Sequence, residues 1–203
     1  MRRSLTLVAT LGAALSALVL SACGSGSEHV AVLEPPRFGP APLYRPDPLS
    51  SAVARARPVA GLGCDARPSG WTGVHLEVFV NRYDVVIPAG IGIAPPHRRD
   101  GAYVRGGRCS YPLRTTDPTG MIELARATRA TLGQFFAAWG QPLTSRRLLG
   151  FRARGRDRVS VFVNGHRWTG PPGALPLTRH AAIMVELGGY VPPRLSYLFP
   201  PDL

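Results

Sequence analysis

One segment of this chain carries a complete set of helix signals, and most other apolar runs in it alternate. Thr131 is placed to accept hydrogen bonds from exposed helix amides, and Gln134 follows three residues later, a capping-box pattern. Leu132, Phe135, Phe136 and Trp139 fall at i, i+3, i+4 and i+7, and Gly140 and Pro142 end the run. The spacing predicts one short helix whose aromatic face packs on a sheet rather than stacking on a ligand. With 23 glycines and 21 prolines among 203 residues, a helical bundle is disfavoured. Hydrophobic residues at 45% still suffice for one core, which excludes wholesale disorder.

Strand patterns lie on both sides of that helix. Val74, Leu76, Val78 and Val80 alternate with His75, Glu77, Phe79 and Asn81, the signature of a half-buried strand. A polar turn at Asn81-Arg82 leads to Val85-Val86-Ile87, predicting a hairpin. Asp117-Pro118-Thr119-Gly120 matches a type I turn, and Met121 to Ala125 follows as a short strand. Beyond the helix, Val159, Val161 and Val163 run into Asn164-Gly165, a type I′ hairpin signal with its return near His166 to Thr169. Ala181 to Leu187 supplies a last strand, and Tyr197, Leu198 and Phe199 in the Pro-rich end are available to pack along the domain. Strands, one helix and more strands predict an α+β domain with a small mixed or antiparallel sheet, β-grasp-like in arrangement. A cupredoxin-like β-sandwich is the alternative.

The amino terminus reads as an address. Arg2 and Arg3 precede an uncharged, mostly apolar run from Leu5 to Leu20, shorter than a comfortable membrane span. The run ends in Leu20-Ser21-Ala22-Cys23-Gly24, which resembles the bacterial lipobox. That resemblance implies a signal peptide over 1–22 and a diacylglyceryl, palmitate-type modification on Cys23, which would anchor the protein at the extracytoplasmic face of the cell membrane. Residues 23–60, with prolines at 35, 36, 40, 42, 46, 48 and 58, read as a Pro-rich tether, and 61–203 as a single domain. Cys64 and Cys109 are then the remaining cysteines. A disulfide is expected in this compartment, with two free thiols or a cysteine metal site as alternatives.

Chemistry-bearing residues are few. His75 and Glu77 share one face of their strand, and Asp117 and Glu123 flank the next turn and strand. Together they offer an N/O ligand set for zinc or copper, or four polar groups on a solvated sheet face. All 24 basic residues are arginine, against 12 acids, so lysine Schiff-base and P-loop chemistry are excluded. Arg146, Arg147, Arg152, Arg154, Arg156 and Arg158 crowd one short segment with a single acid, Asp157. Guanidinium groups there suit anionic lipid head groups or cell-wall polymers, and the compartment argues against nucleic acid. No Gly-x-Ser-x-Gly elbow, His-Glu-x-x-His helix or phosphate-cradling loop occurs, and Ser160 or Ser196 lack a neighbouring motif. The expectation is a non-catalytic binding or accessory lipoprotein, with a metal-binding lipoprotein and an extracellular hydrolase as alternatives.

Val74 to Asn81, Ile87 to Ile93, Cys109 to Asp117 and Thr131 to Leu143 together resemble a family of uncharacterised extracytoplasmic prokaryotic proteins. The resemblance implies a His-x-His-x-His-Leu-acid strand, a cysteine followed by His-Thr-His-Asp, and a histidine two residues after a turn glycine. This chain departs from that pattern. Trp71 and Gly73 hold the first two strand positions and only His75 remains; Arg114, Thr116 and Glu123 replace the others, and Asp117 is kept. The resemblance therefore supports the fold and a Cys64–Cys109 bridge, and it argues against a family-type metal site.

Overall fold

The computed structural model of the chain describes residues 50–65 and 70–203. The segment 1–22, Cys23 and the tether as far as residue 49 lie outside the described residues. In chain order come helix α1 (Ser51–Ala54), β1 (Trp71–Val80), β2 (Tyr83–Asp84), β3 (Arg98–Asp100), β4 (Tyr103–Gly106), β5 (Leu113–Arg114) and β6 (Met121–Ala125). Helix α2 (Leu132–Trp139) is followed by β7 (Leu143–Thr144), β8 (Arg147–Leu148), β9 (Phe151–Arg152), β10 (Ser160–Val163), β11 (His166–Arg167) and β12 (Ala182–Leu187).

Six strands lie side by side in the order β11, β10, β12, β1, β6, β5, and β2 pairs with β1 as the seventh. β1 and β12 run parallel, from His75 opposite Ala182 to Val80 opposite Leu187. The other ladders of this sheet are antiparallel, so the fold is α+β with a mixed sheet. Two short ladders, β3–β4 and β7–β8–β9, stand apart from it.

Local chemistry sets the registers. Asn81 and Arg82 both have positive φ, 51° and 67°, as a two-residue type I′ turn requires. The return strand consequently begins at once, at Tyr83, rather than at Val85 as the apolar pattern suggested, although the Val85 amide still bonds to the Val78 carbonyl. Asn164 and Gly165, at 49° and 81°, make the same turn between β10 and β11. At the Asp117–Gly120 corner a Cβ on Gly120 would lie 2.2 Å from the Leu76 carbonyl oxygen, so only glycine lets that corner press on β1.

Helix α2 forms as its sequence dictates. Thr131 and Gln134 complete the reciprocal capping box, and Gly140 closes the helix in the left-handed region. Leu132, Phe135, Phe136 and Trp139 are at most 1% exposed and meet one face of the sheet: Val74, Leu76 and Val78 of β1, Ile122 of β6 and Val185 of β12. Each such side chain contributes about 1.5–3 kcal/mol of burial.

Cys64 and Cys109 form a disulfide with their Cα atoms 5.7 Å apart, beside the Asp65–Ser110 bridge. Cross-linking across 45 residues stabilises by about 2–4 kcal/mol through restriction of the unfolded chain.

Residues 50–60, assigned from sequence to the tether, belong instead with the folded head. Val53 is fully buried in the main core, the Tyr111 hydroxyl donates to the Arg57 carbonyl, and Gln134 Nε2 donates to the Ala60 carbonyl at 2.9 Å. The sequence hid this because a single apolar residue on a one-turn helix leaves no periodic pattern. Val53→Ala should lower the unfolding free energy by about 2 kcal/mol in urea titration, whereas a tether residue would tolerate the change.

Candidate functional site

The sheet has a second face, and it carries most of the polar chemistry. Because strand residues alternate, Trp71, Gly73, His75, Glu77 and Phe79 point away from α2, and register places Met121 and Glu123 beside them. The alternation predicts a half-solvated surface here. The structure corrects that expectation: β12 is buried at all six positions, and His75 is 5% exposed. The cover is the Pro-rich C-terminal end. Tyr197 stacks on His75 with ring centroids 3.7 Å apart, and Phe199 stacks on His180 at 4.6 Å. Arg194 Nε donates to Glu77 Oε1 at 2.5 Å, and His180 Nε2 donates to a main-chain oxygen of Leu203 at 2.8 Å.

The four residues considered as metal ligands are each engaged separately. His75 Nε2 lies 3.1 Å from the Thr119 carbonyl oxygen; a carbonyl only accepts, so that nitrogen carries hydrogen. Glu77 pairs with Arg194. Asp117 accepts from the Thr119 amide at 2.9 Å and from its hydroxyl, which fixes the corner. Glu123 accepts from Arg114 Nη2 and Nε, both at 2.7 Å, and from the Thr116 hydroxyl at 2.6 Å. Among the described residues no group of three or more His, Cys, Asp and Glu side chains is arranged to hold a metal ion, so the zinc or copper set read from sequence is not assembled.

The positions where the family resemblance implied histidines do meet, in another chemistry. The Arg114 guanidinium sits 3.9 Å above the Trp71 ring while forming its paired bonds to Glu123, and Thr116 completes the carboxylate. Side chains 20% and 11% exposed make this a mostly buried ion pair. Such a pair is costly to break and cheap to replace whole.

Sequence reasoning missed Asp84 and Arg194, and it expected Tyr197 to pack along the domain without naming His75 as its partner. Asp84 stands opposite Phe79 and lines a small hollow of about 90 Å³ with His75, Glu77 and Thr119, room for a few waters. Burial, then the nearby Glu77, pushes its carboxyl up from the usual range. The two-residue turn was the available signal, since it fixes which face Asp84 takes. No local pattern announces Arg194 or the partner of Tyr197, since Glu77 and His75 lie more than a hundred residues away.

The six arginines do not act as one patch. Arg146 Nη2 donates to the Ala153 and Gly155 carbonyls, and Arg158 Nη1 to those of Arg156 and Asp157, so these two brace their own loop. Arg147 is half-buried, and Arg152, Arg154 and Arg156 are exposed. Of the serines, Ser160 Oγ accepts from Arg167 at 3.3 Å and Ser196 is exposed in the C-terminal end. Among the described residues no helix is long and apolar enough to cross a membrane.

No protein-family model, curated protein or solved structure matches the chain.

Two outcomes test this arrangement. Glu123→Ala should cost about 3 kcal/mol in denaturant unfolding, while Arg114→Leu with Glu123→Leu should cost much less, because it leaves no buried charge unpaired. The second concerns pH. Burial holds the His75 imidazole below its ordinary 6.5, opposed by Glu77 and the Thr119 carbonyl and aided by Arg194. The unfolded chain thus takes up a proton near pH 6.5 before the folded one does. This contribution is complete above 6.5 and is lost as pH falls toward the lower folded pKa. Asp84 and Glu186, both raised by burial, act in the opposite direction at lower pH. His75→Phe keeps the ring stack and removes the titration. Its melting temperature relative to wild type should therefore rise as pH drops below 6.5.

Proposed function

We propose that the protein is an extracytoplasmic lipoprotein, held to the cell membrane through acylated Cys23, whose folded head is a non-catalytic binding or accessory module. The observation that carries this reading is Cys23 itself, set directly after Leu20-Ser21-Ala22 at the end of an uncharged stretch that follows Arg2-Arg3. The Cys64–Cys109 disulfide supports an oxidising compartment. The module reading rests on commitment: His75, Glu77, Asp117 and Glu123 each serve a neighbour, which suits a scaffold better than a reaction centre. Its strand order, with the first and last long strands parallel at the centre and α2 between the flanking pairs, favours a β-grasp-like arrangement. Anionic lipid head groups and wall polymers are the partners nearest to the arginine-rich edge.

Cell fractionation with fatty-acid labelling tests the anchor. Wild-type protein should take up label and sediment with membranes, and Cys23→Ala should lose both. A Cys23→Ala protein still wholly in the membrane fraction would remove the anchoring claim.

A further inference from the structure

We propose that a groove between the β7–β8–β9 ladder and the adjoining ends of β1 and β12 binds a phosphate ester. The groove encloses about 440 Å³, within the size range of small-ligand sites. Arg152 and Arg154 line it together with Asp157, Asn81, Phe151, Val80 and Leu187. The two guanidiniums are free, whereas Arg146 and Arg158 on either side of them are not. Arg146 and Arg158 spend their donors on loop carbonyls, while among the described residues neither Arg152 nor Arg154 makes a side-chain hydrogen bond or ion pair.

A second observation points the same way. Arg147 and Arg152 stand directly opposite each other in the β8–β9 ladder, and like charges so placed are destabilising. Arg147 also buries its Nε, which has no hydrogen-bond partner among the described residues. An anion at Arg152 turns that repulsion into shared attraction. Each planar guanidinium can grip two oxygens, and two free forks suit the several oxygens of a phosphate better than the two of a carboxylate. Asp157 at the rim offsets part of the charge and favours a ligand that also presents a hydroxyl, such as a glycerol phosphate. Half-buried Phe151 in the lining offers the carbon part an apolar contact. The same group occurs in a soluble ester and in an anionic lipid head. The proposal rests on reading the head as a binding module and is independent of the anchor.

Calorimetry on the full-length protein in non-ionic detergent micelles tests it, with inorganic phosphate and glycerol 3-phosphate as soluble probes. Phosphatidylglycerol added to the micelles, against phosphatidylcholine, is the lipid probe. Saturable binding is expected, weakened about tenfold or more in Arg152→Gln/Arg154→Gln. Arg99→Gln/Arg129→Gln, which removes equal charge elsewhere, should leave it unchanged. Groove-dependent binding of the lipid alone assigns the site to a head group, and binding of glycerol 3-phosphate as well assigns it to the ester itself; both support the proposal. Equal losses in the two variants, or no binding of any probe, overturn it. If the glutamine pair does not fold, Arg152→Lys/Arg154→Lys keeps the charge and removes the forks; weaker binding supports the site and wild-type binding overturns it. Loss of membrane association in Cys23→Ala bears on the anchor alone, so the two readings fail separately.

Discussion

The parallel ladder between β1 and β12 is the constraint from which the rest of the head follows. Neighbouring parallel strands cannot be joined by a tight turn, so the chain between them must leave the sheet and return. Here that excursion runs from Tyr83 to Ala181 and contains the remaining strands and α2. β6 comes back against one side of β1 and β10 against one side of β12, which leaves the first and last strands at the centre of the sheet. A central strand has no edge to offer water, and its apolar alternation, Val74 to Val80 and Ile183 to Leu187, supplies one continuous surface for the helix. Removing that ladder would leave two antiparallel halves with no shared core.

The same topology creates a problem on the reverse face. β1 and β12 present His75, Glu77, Phe79, Ala182, Met184 and Glu186 there, a mixture too polar for a dry core and too apolar for open water. The C-terminal end resolves it with partners of matched kind. Aromatic rings lie on imidazoles, Arg194 meets Glu77, and the Glu186 carboxylate accepts from the Val191 amide at 2.8 Å. Phe79, Phe162, Met184 and Val191 form a second, smaller apolar cluster within this layer. A Cβ on Gly73 would meet the Phe199 ring at 2.8 Å, so the close seating of this layer also depends on a glycine in β1.

How much of this the sequence disclosed follows from the range of each interaction. The α2 cap, its apolar face and the Asn164-Gly165 turn are decided within eight residues, and all three stand in the structure as read. The disulfide was expected from the cysteine count and from the compartment that the amino-terminal pattern suggested, and it is present. What escaped was non-local or too short to pattern. Val53 is one apolar residue on one helical turn, and β7, β8 and β9 are ladders of two residues each. The metal set failed for a related reason. Alternation placed His75 and Glu77 on one face, but it could not reveal that Thr119, Arg194 and Tyr197 would claim them first. Arg114 and Glu123, by contrast, face each other across β5 and β6, so their pairing was readable once those strands were known to be neighbours.

A chain without lysine assigns to arginine work that a point charge does poorly, and this changes what its basicity means. Arg114 stacks on Trp71 while gripping Glu123 through two nitrogens; an ammonium has neither the plane nor the fork. Arg126 donates to the Trp71 carbonyl, and Arg146 and Arg158 tie down carbonyls of their own loop. Arg105 pairs with Asp100 at 3.0 Å across the β3–β4 hairpin. Each of these guanidiniums is a structural donor that happens to be charged. The formal +12 therefore overstates the charge offered to a partner, since much of it is spent on holding loops and edges in place. An arginine with no internal duty is informative only where its surroundings add something. Arg152 and Arg154 keep their forks free, as several exposed arginines do, but they stand together beside a groove, with Arg147 directly opposite Arg152, and it is that placement that favours an anion from outside the chain.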